Sequence, residues 1–238
     1  MKTLKVLIVI PCYNEQESIV EVVREIEHQI VDGAELTPLV VNDCSTDDSL
    51  QILEENNINH VSLPVNLGIG GAVQTGYKFA LENGYDVAIQ LDGDGQHPAD
   101  QIHKIVEPIR LGESDVVIGS RYLTKEGFQS STLRRMGINF FKRLIKLLTK
   151  VEVKDSTSGF RALNSKTLEI VNDYYPDQYP EPEAIVLYSR NNLRIKEVPV
   201  IMRERQGGVS SITGSSSIYY MFKVFMACVF VYLRFSKK

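Results

Sequence analysis

The stretch Val87-Ala88-Ile89-Gln90-Leu91-Asp92-Gly93-Asp94-Gly95 joins a short apolar run to two aspartates that are one residue apart. The run from Val87 to Leu91 is typical of a strand buried in a sheet. Aspartates are common in turns, but ligands of open α/β sheets bind at the carboxyl ends of strands. Carboxylate oxygens at such a point suit Mg²⁺ or Mn²⁺. The stretch therefore predicts a metal site at Asp92 and Asp94, to which Gln96 adds an amide oxygen.

The first 120 residues around this stretch alternate between strand and helix patterns. Besides Val87–Leu91, the predicted strands are Leu4–Ile10, Leu39–Val41, Val61–Leu63 and Val116–Ile118. The predicted helices are Glu15–Ile30, Asp47–Glu55, Ala72–Glu82 and one that begins near Pro98. Pro11 is expected to end the first strand. This order predicts an α/β fold with a mostly parallel central sheet covered by helices on both faces.

The overall composition is that of a folded globular protein. The chain has 238 residues, of which 43% are hydrophobic and 24% charged, so disorder, collagen and a disulfide-framed miniprotein are excluded. Cys12, Cys44 and Cys228 have no metal-ligand spacing and are odd in number, which fits a reducing compartment. The apolar run Leu4–Ile10 is too short for a secretory signal.

Charge is divided unevenly along the chain. Residues 1–126 carry 21 acidic and 8 basic residues, whereas residues 127–238 carry 9 acidic and 18 basic ones. We expect no nucleic acid partner, because the first half is acidic and no nucleic-acid-reading motif is present. The basic second half suits an anionic membrane surface or a phosphorylated substrate.

Residues 133–150 form a predicted basic amphipathic helix, and the segment from Arg134 to Lys150 contains no acid. One face carries Phe140, Phe141, Leu144, Ile145, Leu147 and Leu148, and the other carries Lys142, Arg143, Lys146 and Lys150. Such a helix lies in a membrane interface, or it packs on a core with a solvated basic face.

Residues 213–238 form a separate predicted segment, an apolar C-terminal helix. Its ten-residue run Val224–Leu233 reaches only about 15 Å, half of a hydrocarbon core. Tyr219, Tyr220 and Tyr232 are typical of interfacial anchors. The segment therefore either dips into a membrane or packs on a partner, such as a second copy of the chain.

Two further loops carry candidate binding residues. Pro11, Tyr13 and Glu15 follow the first predicted strand, and Asp43 follows the second. Tyr13 can stack on a nucleobase, and Asp43 can accept a hydrogen bond from a base or ribose, although an Asx-turn also explains an aspartate there. The glycines at 68, 70 and 71 either cradle phosphate or form a tight turn.

Seven stretches in order resemble glycosyltransferase family 2, and the later ones resemble its dolichol-phosphate-mannose-synthase branch. They are Pro-Cys-Tyr-Asn-Glu (11–15), Val-Asn-Asp-Cys-Ser-Thr-Asp (41–47), Asn-Leu-Gly-Ile-Gly-Gly-Ala (66–72), Leu-Asp-Gly-Asp-Gly-Gln-His-Pro (91–98), Gly-Ser-Arg-Tyr (119–122) with Asp-Ser-Thr-Ser-Gly-Phe-Arg (155–161), and Arg-Gln-Gly-Gly-Val-Ser (205–210). Two positions depart from the family pattern: Asn42 replaces an aspartate and Cys44 a common glycine.

The resemblance implies a GT-A fold over residues 1–212, a Rossmann-like three-layer sandwich that holds a nucleotide-sugar. The residues expected at the nucleotide-sugar are Pro11, Tyr13, Glu15, Asp43, Asp92 and Asp94, and those around the divalent cation, Mg²⁺ or Mn²⁺, are Asp92, Asp94 and Gln96. Arg121 would reach the acceptor or the diphosphate. Arg205 would neutralise the departing diphosphate, whose charge a cation also stabilises.

In that branch the acceptor is a polyprenyl phosphate, which is already anionic and needs no general base. Arg134 or Arg135 can bind this acceptor phosphate. An acceptor sugar hydroxyl would instead need a carboxylate base, for which Glu181, Glu183 and Asp155 are the candidates. A proline-bounded loop with solvated acids is the other interpretation of Glu181 and Glu183.

The leading hypothesis is an inverting, metal-dependent glycosyltransferase that moves a sugar from a nucleotide-sugar to a polyprenyl phosphate and acts peripherally on the cytoplasmic side of a membrane. The first alternative extends a lipid-linked or cell-surface polysaccharide at a sugar hydroxyl. The second is a catalytically silent membrane adaptor. A Rossmann dehydrogenase is disfavoured, because no Gly-x-Gly-x-x-Gly follows the first strand.

Overall fold

The computed structural model describes residues 2–124, 132–177, 180–203 and 217–235, with side chains for all of these except 132–136 and 217–220. The strands are β1 (Leu4–Cys12), β2 (Ala34–Asn42), β3 (His60–Ser62), β4 (Val87–Gln90), β5 (Val116–Ser120), β6 (Arg161–Asn164) and β7 (Ile195–Pro199). The helices are α1 (Ile19–Glu27), α2 (Ser49–Glu55), α3 (Gly68–Glu82), α4 (Ile102–Arg110), α5 (Thr132–Thr149), α6 (Ser165–Asp173), α7 (Pro180–Arg190) and α8 (Ser217–Arg234).

The described strands form one seven-stranded sheet in the order β3-β2-β1-β4-β6-β5-β7. β1 pairs in parallel with β2 and β4, and β7 pairs in parallel with β5. β6 is antiparallel to both of its neighbours, β4 and β5. The prediction of a mostly parallel sheet is confirmed.

Helices cover both faces of this sheet. Alternate residues of β1 point to opposite faces, so Val6 and Ile8 pack with α1, α2 and α4, whereas Leu7 and Val9 pack with α3 and α5 to α8. The three-layer sandwich is therefore confirmed. The carboxyl ends of β1, β2 and β4 lie at the same edge of the sheet because these strands are parallel.

Two prolines lie within strands, so the predicted strand bounds were wrong there. β1 continues through Pro11 to Cys12, and β2 begins at Ala34 and includes Pro38. At Pro11 only β2 still accompanies β1, because β4 pairs only with Val6 to Val9. Pro38 likewise precedes the part of β2 that pairs with β3. A proline is tolerated where one side of a strand has no partner.

The predicted helix bounds also needed correction. α1 ends at Glu27 rather than Ile30, and the side chain of Ile30 is 93% exposed. α3 begins at Gly68 rather than Ala72. A 3-10 turn, Ala99–Gln101, precedes α4. Periodicity alone locates a helix better than its ends, which depend on local capping contacts.

The apolar residues of α5 divide between the core and the surface. Phe141, Leu144 and Ile145 are buried in the core, whereas Leu147 is 81% exposed. The basic residues Lys142 and Lys146 both face Glu152, at 3.6 and 3.0 Å. The core-packed interpretation is therefore correct for part of the helix, and an apolar part remains on the surface.

The glycine loop that opens α3 fits closely against the backbone of residues 176 and 177. Gly70 N donates to the carbonyl oxygen of Asp177 at 2.9 Å. A Cβ at position 70 would lie 2.1 Å from the carbonyl oxygen of Pro176 and 2.2 Å from that of Asp177. This close approach explains Gly70 without a bound phosphate.

We expect Gly70→Ala to lower the free energy of unfolding by about 2–3 kcal/mol, because the methyl group overlaps rigid backbone. Gly137→Ala is the matched control: it also lies in a helix, but a Cβ there meets nothing within 4 Å. Alanine at 137 should stabilise the helix by about 0.5–1 kcal/mol. Urea unfolding of both variants measures the difference, and equal stabilities would contradict the packing described for Gly70.

Candidate active site

The loops that follow β1 and β2 are joined by hydrogen bonds from Asn14. The side-chain oxygen of Asn14 accepts from Thr46 N at 2.8 Å, and Asn14 N donates to Ser45 Oγ at 3.1 Å. Glu15 N donates to Ser49 Oγ at 3.0 Å. Tyr13, between these contacts and the end of β1, is 48% exposed. The structure thus brings the predicted nucleotide residues of both loops to the carboxyl edge of the sheet.

Asp43 ties the second loop to the glycine loop. Its Oδ1 accepts from Leu67 N at 2.7 Å, and its side chain is buried. Burial raises the pKa of Asp43, an effect opposed by the backbone N–H groups of Leu67 and Gly68. One carboxylate oxygen therefore already has a structural role. Its donor lies in the glycine loop rather than in the turn of Asp43 itself, so the Asx-turn interpretation was wrong.

The two departures from the family pattern have visible structural consequences. Cys44 has φ = +60°, a left-handed conformation that a glycine adopts without strain. Asn42 accepts from Ser45 N at 3.1 Å, so its side chain holds the turn. The loop keeps the backbone shape of a glycine turn although a cysteine occupies it.

The loop after β4 presents two differently placed carboxylates. Asp94 is buried, and its Oδ1 accepts from Gln96 N at 3.0 Å. The side chain of Asp92 is 33% exposed. Ser18, the residue that precedes α1, donates from Oγ to the carbonyl oxygen of Gly93 at 2.7 Å. The loop is thereby fixed beside the end of β1.

These residues fit a divalent cation that a diphosphate helps to bind. Among the described residues no group of three His, Cys, Asp or Glu side chains is arranged to hold an ion by itself. Mg²⁺ is bound in many enzymes by one or two carboxylates together with substrate phosphates. Asp92 and Asp94 supply two carboxylates, and Gln96, half-buried next to them in the loop, can add an amide oxygen.

Arg121 forms a buried ion pair with Asp155. Arg121 Nε and Nη2 donate to the two Asp155 oxygens at 2.6 and 2.7 Å, and Arg121 Nη2 also donates to Thr157 Oγ1 at 3.0 Å. Both side chains are almost inaccessible to solvent. Each Asp155 oxygen accepts a second hydrogen bond, from Arg121 N or the Thr157 hydroxyl. This geometry limits what Arg121 can offer to an acceptor phosphate and leaves Asp155 poorly placed to act as a base.

Three residues beside Asp92 were not assigned to the site from the sequence. Gln90, buried in β4, donates from Nε2 to Asp92 Oδ1 at 3.3 Å, and Gly159 lies against the same carboxylate. The His97 ring is buried with Nδ1 3.6 Å from Asp92 Oδ2. Burial lowers the pKa of His97, and Asp92 and Asp94 oppose this effect. Gln90, a glutamine that ends an otherwise apolar buried strand, carried a sequence signal that could have found it.

Glu181 and Glu183 lie in the first turn of α7, so a proline-bounded loop was the wrong expectation for them. Pro180 and Pro182 are compatible with a helix start because the first-turn N–H groups need no partner inside the helix. Glu183 is buried and accepts from the Tyr174 hydroxyl at 2.9 Å. Burial raises the pKa of Glu183, while the Tyr174 hydrogen bond lowers it.

Three arginines predicted to bind phosphate groups lie partly or wholly outside the described residues. Arg134 and Arg135 belong to the first turns of α5, and their side chains lie outside the described residues. Arg205 also lies outside them. Arg203, two residues earlier, donates its backbone N–H to the carbonyl oxygen of Gln96 at 3.0 Å. The chain therefore passes the Asp92–Gln96 loop just before residue 205.

A three-layer sandwich with paired aspartates at the carboxyl edge of its sheet is the arrangement that the resemblance to a GT-A glycosyltransferase implies. The family comparison agrees, since the model of "Glycosyl transferase family 2" matches residues 7–171. This chain belongs to that family and is a glycosyltransferase.

Two relatives match over most of the chain. The UDP-N-acetylglucosamine–dolichyl-phosphate N-acetylglucosaminyltransferase of Methanococcus voltae is 31% identical over 218 residues, covering 82% of this chain and 84% of the relative. The polyprenol monophosphomannose synthase of Mycolicibacterium smegmatis is 29% identical over 235 residues, covering 93% and 86%. The first name specifies transfer to dolichyl phosphate, and the second specifies synthesis of polyprenol monophosphomannose.

A solved structure supports the fold. Glucosyl-3-phosphoglycerate synthase from Mycobacterium tuberculosis, in complex with Mn²⁺, UDP and glucosyl-3-phosphoglycerate, superposes with a TM-score of 0.69. The alignment covers 96% of this chain and 80% of that one at 17% identity. At this identity the likeness concerns the fold alone.

Proposed function

We propose that this chain transfers a sugar from a nucleotide diphosphate sugar to a polyprenyl phosphate, with inversion at the anomeric carbon. The observation that carries the proposal is the Asp92–Asp94 pair at the carboxyl end of β4, next to the loops after β1 and β2. The acceptor is supported by the two relatives, whose names specify dolichyl phosphate and a polyprenol monophosphomannose product.

In this proposal the donor nucleoside lies against the loops after β1 and β2. Tyr13 is exposed enough to stack on a base, and Glu15 accepts from the ribose. Pro11 shapes the loop at the end of β1. Asp43 has one oxygen bonded to Leu67 N, so its other oxygen would contact the base.

The diphosphate lies against the loop after β4. Asp92 and Asp94, with Gln96, would hold a divalent cation, Mg²⁺ or Mn²⁺. When bound, this cation neutralises charge on the diphosphate, so that the nucleoside diphosphate is a better leaving group. Arg205 is assigned to the same charge, because Arg203, two residues earlier in the sequence, is hydrogen-bonded to Gln96.

The acceptor phosphate needs no general base, since its oxygen is already anionic. That oxygen forms a bond to the anomeric carbon while the bond from this carbon to the diphosphate breaks. Arg134 and Arg135 are assigned to hold the acceptor phosphate. The ion pair with Asp155 makes Arg121 better suited to fixing the loop of residues 155–157 than to binding a second anion.

A sugar hydroxyl acceptor receives less support. It needs a carboxylate base, yet Asp155 accepts four hydrogen bonds and Glu183 accepts one from Tyr174. These contacts make two of the three candidate bases poorly suited to take a proton, and the third, Glu181, lies in the first turn of α7. A silent adaptor is disfavoured because the metal-binding residues are all present.

The direct test is an assay of purified protein with a panel of nucleotide-sugars and undecaprenyl phosphate in detergent micelles. We expect a single lipid-linked sugar, formed with Mg²⁺ or Mn²⁺ and abolished by a chelator. Glycan acceptors are tested in parallel. Metal-dependent transfer to a glycan, without any lipid product, would move the assignment to the hydroxyl-acceptor reaction.

We further propose that α5 and α8 dock the enzyme on the cytoplasmic face of a membrane. Phe140 and Phe225 bring the two helices together, with ring centroids 6.4 Å apart. Large apolar side chains remain exposed on these helices: Phe140, Leu147, Phe222, Phe230 and Leu233. Among the described residues, no helix combines the length and apolar character needed to cross a bilayer. The three free thiols fit a reducing compartment.

Replacing Leu147 and Phe230 together by Gln should weaken binding to anionic liposomes at least tenfold. An apolar side chain of this size contributes about 1.5–3 kcal/mol when it moves from water into the lipid. Leu111→Gln is the control, since Leu111 is exposed at the end of α4 on the other face of the sheet. Co-sedimentation measures binding, and unchanged binding of the double variant would exclude lipid docking through these side chains. Loss of a dimer in solution would instead assign the surface to a second copy.

A further inference from the structure

His97 is a buried polar side chain that the proposed reaction does not use. It is 4% exposed, and neither ring nitrogen has a hydrogen-bond partner among the described residues. Burying a polar group without a partner is costly, so such groups call for an explanation. The position of the ring beside the candidate metal ligands points to a partner gained during function.

The ring of His97 is held in place by its neighbours. It stacks on Phe160 with centroids 5.1 Å apart and an interplanar angle of 20°. Phe160 is itself buried and lies so close to Gly119 that a Cβ there would be 2.7 Å from its ring. The imidazole is therefore a fixed group, and its neighbours must move if a contact is to form.

Asp92 is the neighbour that can move. Its side chain is 33% exposed, and its Oδ2 lies 3.6 Å from His97 Nδ1. Its Oδ1 receives a long hydrogen bond, 3.3 Å, from Gln90 Nε2. On its other side, a Cβ at Gly159 would lie 3.2 and 3.3 Å from the two carboxylate oxygens. A shift of about 0.7 Å toward the ring gives an ordinary N–H···O distance.

We propose that His97 is a positioning residue for Asp92, donating its Nδ1–H to Asp92 Oδ2 when the carboxylate binds a divalent cation. This inference rests on the proposed metal-binding role of Asp92. A hydrogen bond from a fixed donor orients a metal-binding carboxylate and leaves its other oxygen to the cation. Outer contacts of this kind typically change metal affinity by about 10–100-fold.

Two substitutions test the hydrogen-bond donor of His97 and its stacked ring one at a time. His97→Phe keeps a ring that can stack on Phe160 and removes the donor, whereas His97→Asn keeps an N–H donor near the position of Nδ1 and removes the ring. The readout is the dissociation constant of Mn²⁺, measured by electron paramagnetic resonance with UDP and, separately, with GDP, and without any acceptor. Thermal unfolding is recorded for every variant.

We expect His97→Phe to weaken Mn²⁺ binding about tenfold without lowering the unfolding temperature, because two unpaired buried nitrogens are removed. His97→Asn should keep Mn²⁺ binding within about threefold of the natural protein while lowering the unfolding temperature, because the stacked ring is lost. These opposite effects are not expected of a residue that only fills space. His103→Phe, on the exposed side of α4, is the control and should change neither quantity.

Asp94→Asn distinguishes a failure of the role proposed for His97 from a failure of the proposed metal site. If the natural protein binds Mn²⁺, Asp94→Asn does not, and His97→Phe binds like the natural protein, then the inference on His97 is overturned and the metal site stands. If the natural protein binds no Mn²⁺ with either nucleotide, the proposed metal site fails and the inference fails with it.

Discussion

Asp94→Asn is expected to lower kcat/KM for sugar transfer by about 10²–10³-fold, the loss typical of removing one stabiliser of developing charge. Asp94 is buried, so its charge acts where solvent screens it weakly. Asparagine has nearly the same shape and retains an oxygen that can accept from Gln96 N, as Asp94 Oδ1 does at 3.0 Å. The loss should therefore come from the charge and leave the fold intact.

The measurement compares initial rates over a range of Mn²⁺ concentrations, with circular dichroism as the check on folding. Asp100→Asn is the matched control, because Asp100 is exposed in the 3-10 turn that precedes α4. It should transfer sugar at the normal rate. If Asp94→Asn also retained normal, chelator-sensitive turnover, Asp94 would not be a metal ligand.

Arg121→Met is expected to lower the free energy of unfolding by about 3–5 kcal/mol, because it leaves a buried carboxylate without its partner. Asp155 is fully buried, and both of its oxygens accept from the Arg121 guanidinium. A loss of this size is a large part of the stability of a typical domain. The charge on Asp155, rather than the lost packing, should dominate the effect.

The double variant Arg121→Met/Asp155→Asn tests that cause. The double variant removes the unpaired charge at position 155 but keeps a side-chain oxygen there that can accept from the backbone N–H of residue 121. It should therefore be at least about 1 kcal/mol more stable than Arg121→Met alone. Urea unfolding measures both variants. Arg110→Met, which breaks an exposed pair with Glu107, should change stability little. If Arg121→Met were fully stable but inactive, Arg121 would be assigned to substrate binding.

The parts of the fold predicted correctly are those encoded by short, strongly patterned segments. β1, β4 and β5 are apolar runs that are buried throughout, apart from the start of β1, and their alternation with amphipathic helices predicted the parallel sheet. The placement of Tyr13, Asp43 and Asp92 followed from the same rule, because each comes directly after or near the end of a parallel strand.

Of the strands beyond β4 in the sheet order, β5 was predicted, whereas β6 and β7 were not. β6 has only four residues, Arg161–Asn164, and pairs antiparallel between β4 and β5. Its first residue is an arginine that is fully buried and donates to the carbonyl oxygens of Ser156 and Ser158. No local pattern indicates a buried arginine at the start of a central strand. The ends of α1 and α3 were misplaced for a related reason, since capping contacts decide them.

The sequence by itself determined the layered α/β architecture and the acidic loop at Asp92 and Asp94, because strand and helix periods and strand ends are local properties. Tertiary structure alone decided which charged side chains can contact a substrate or metal and which are held in pairs within the protein. Arg121 and Asp155 are 34 residues apart yet form a buried pair. The ring of His97, 3.6 Å from Asp92, stacks on Phe160 from a distant segment. Pairings between distant segments depend on burial and on competition among partners, neither of which a local pattern records.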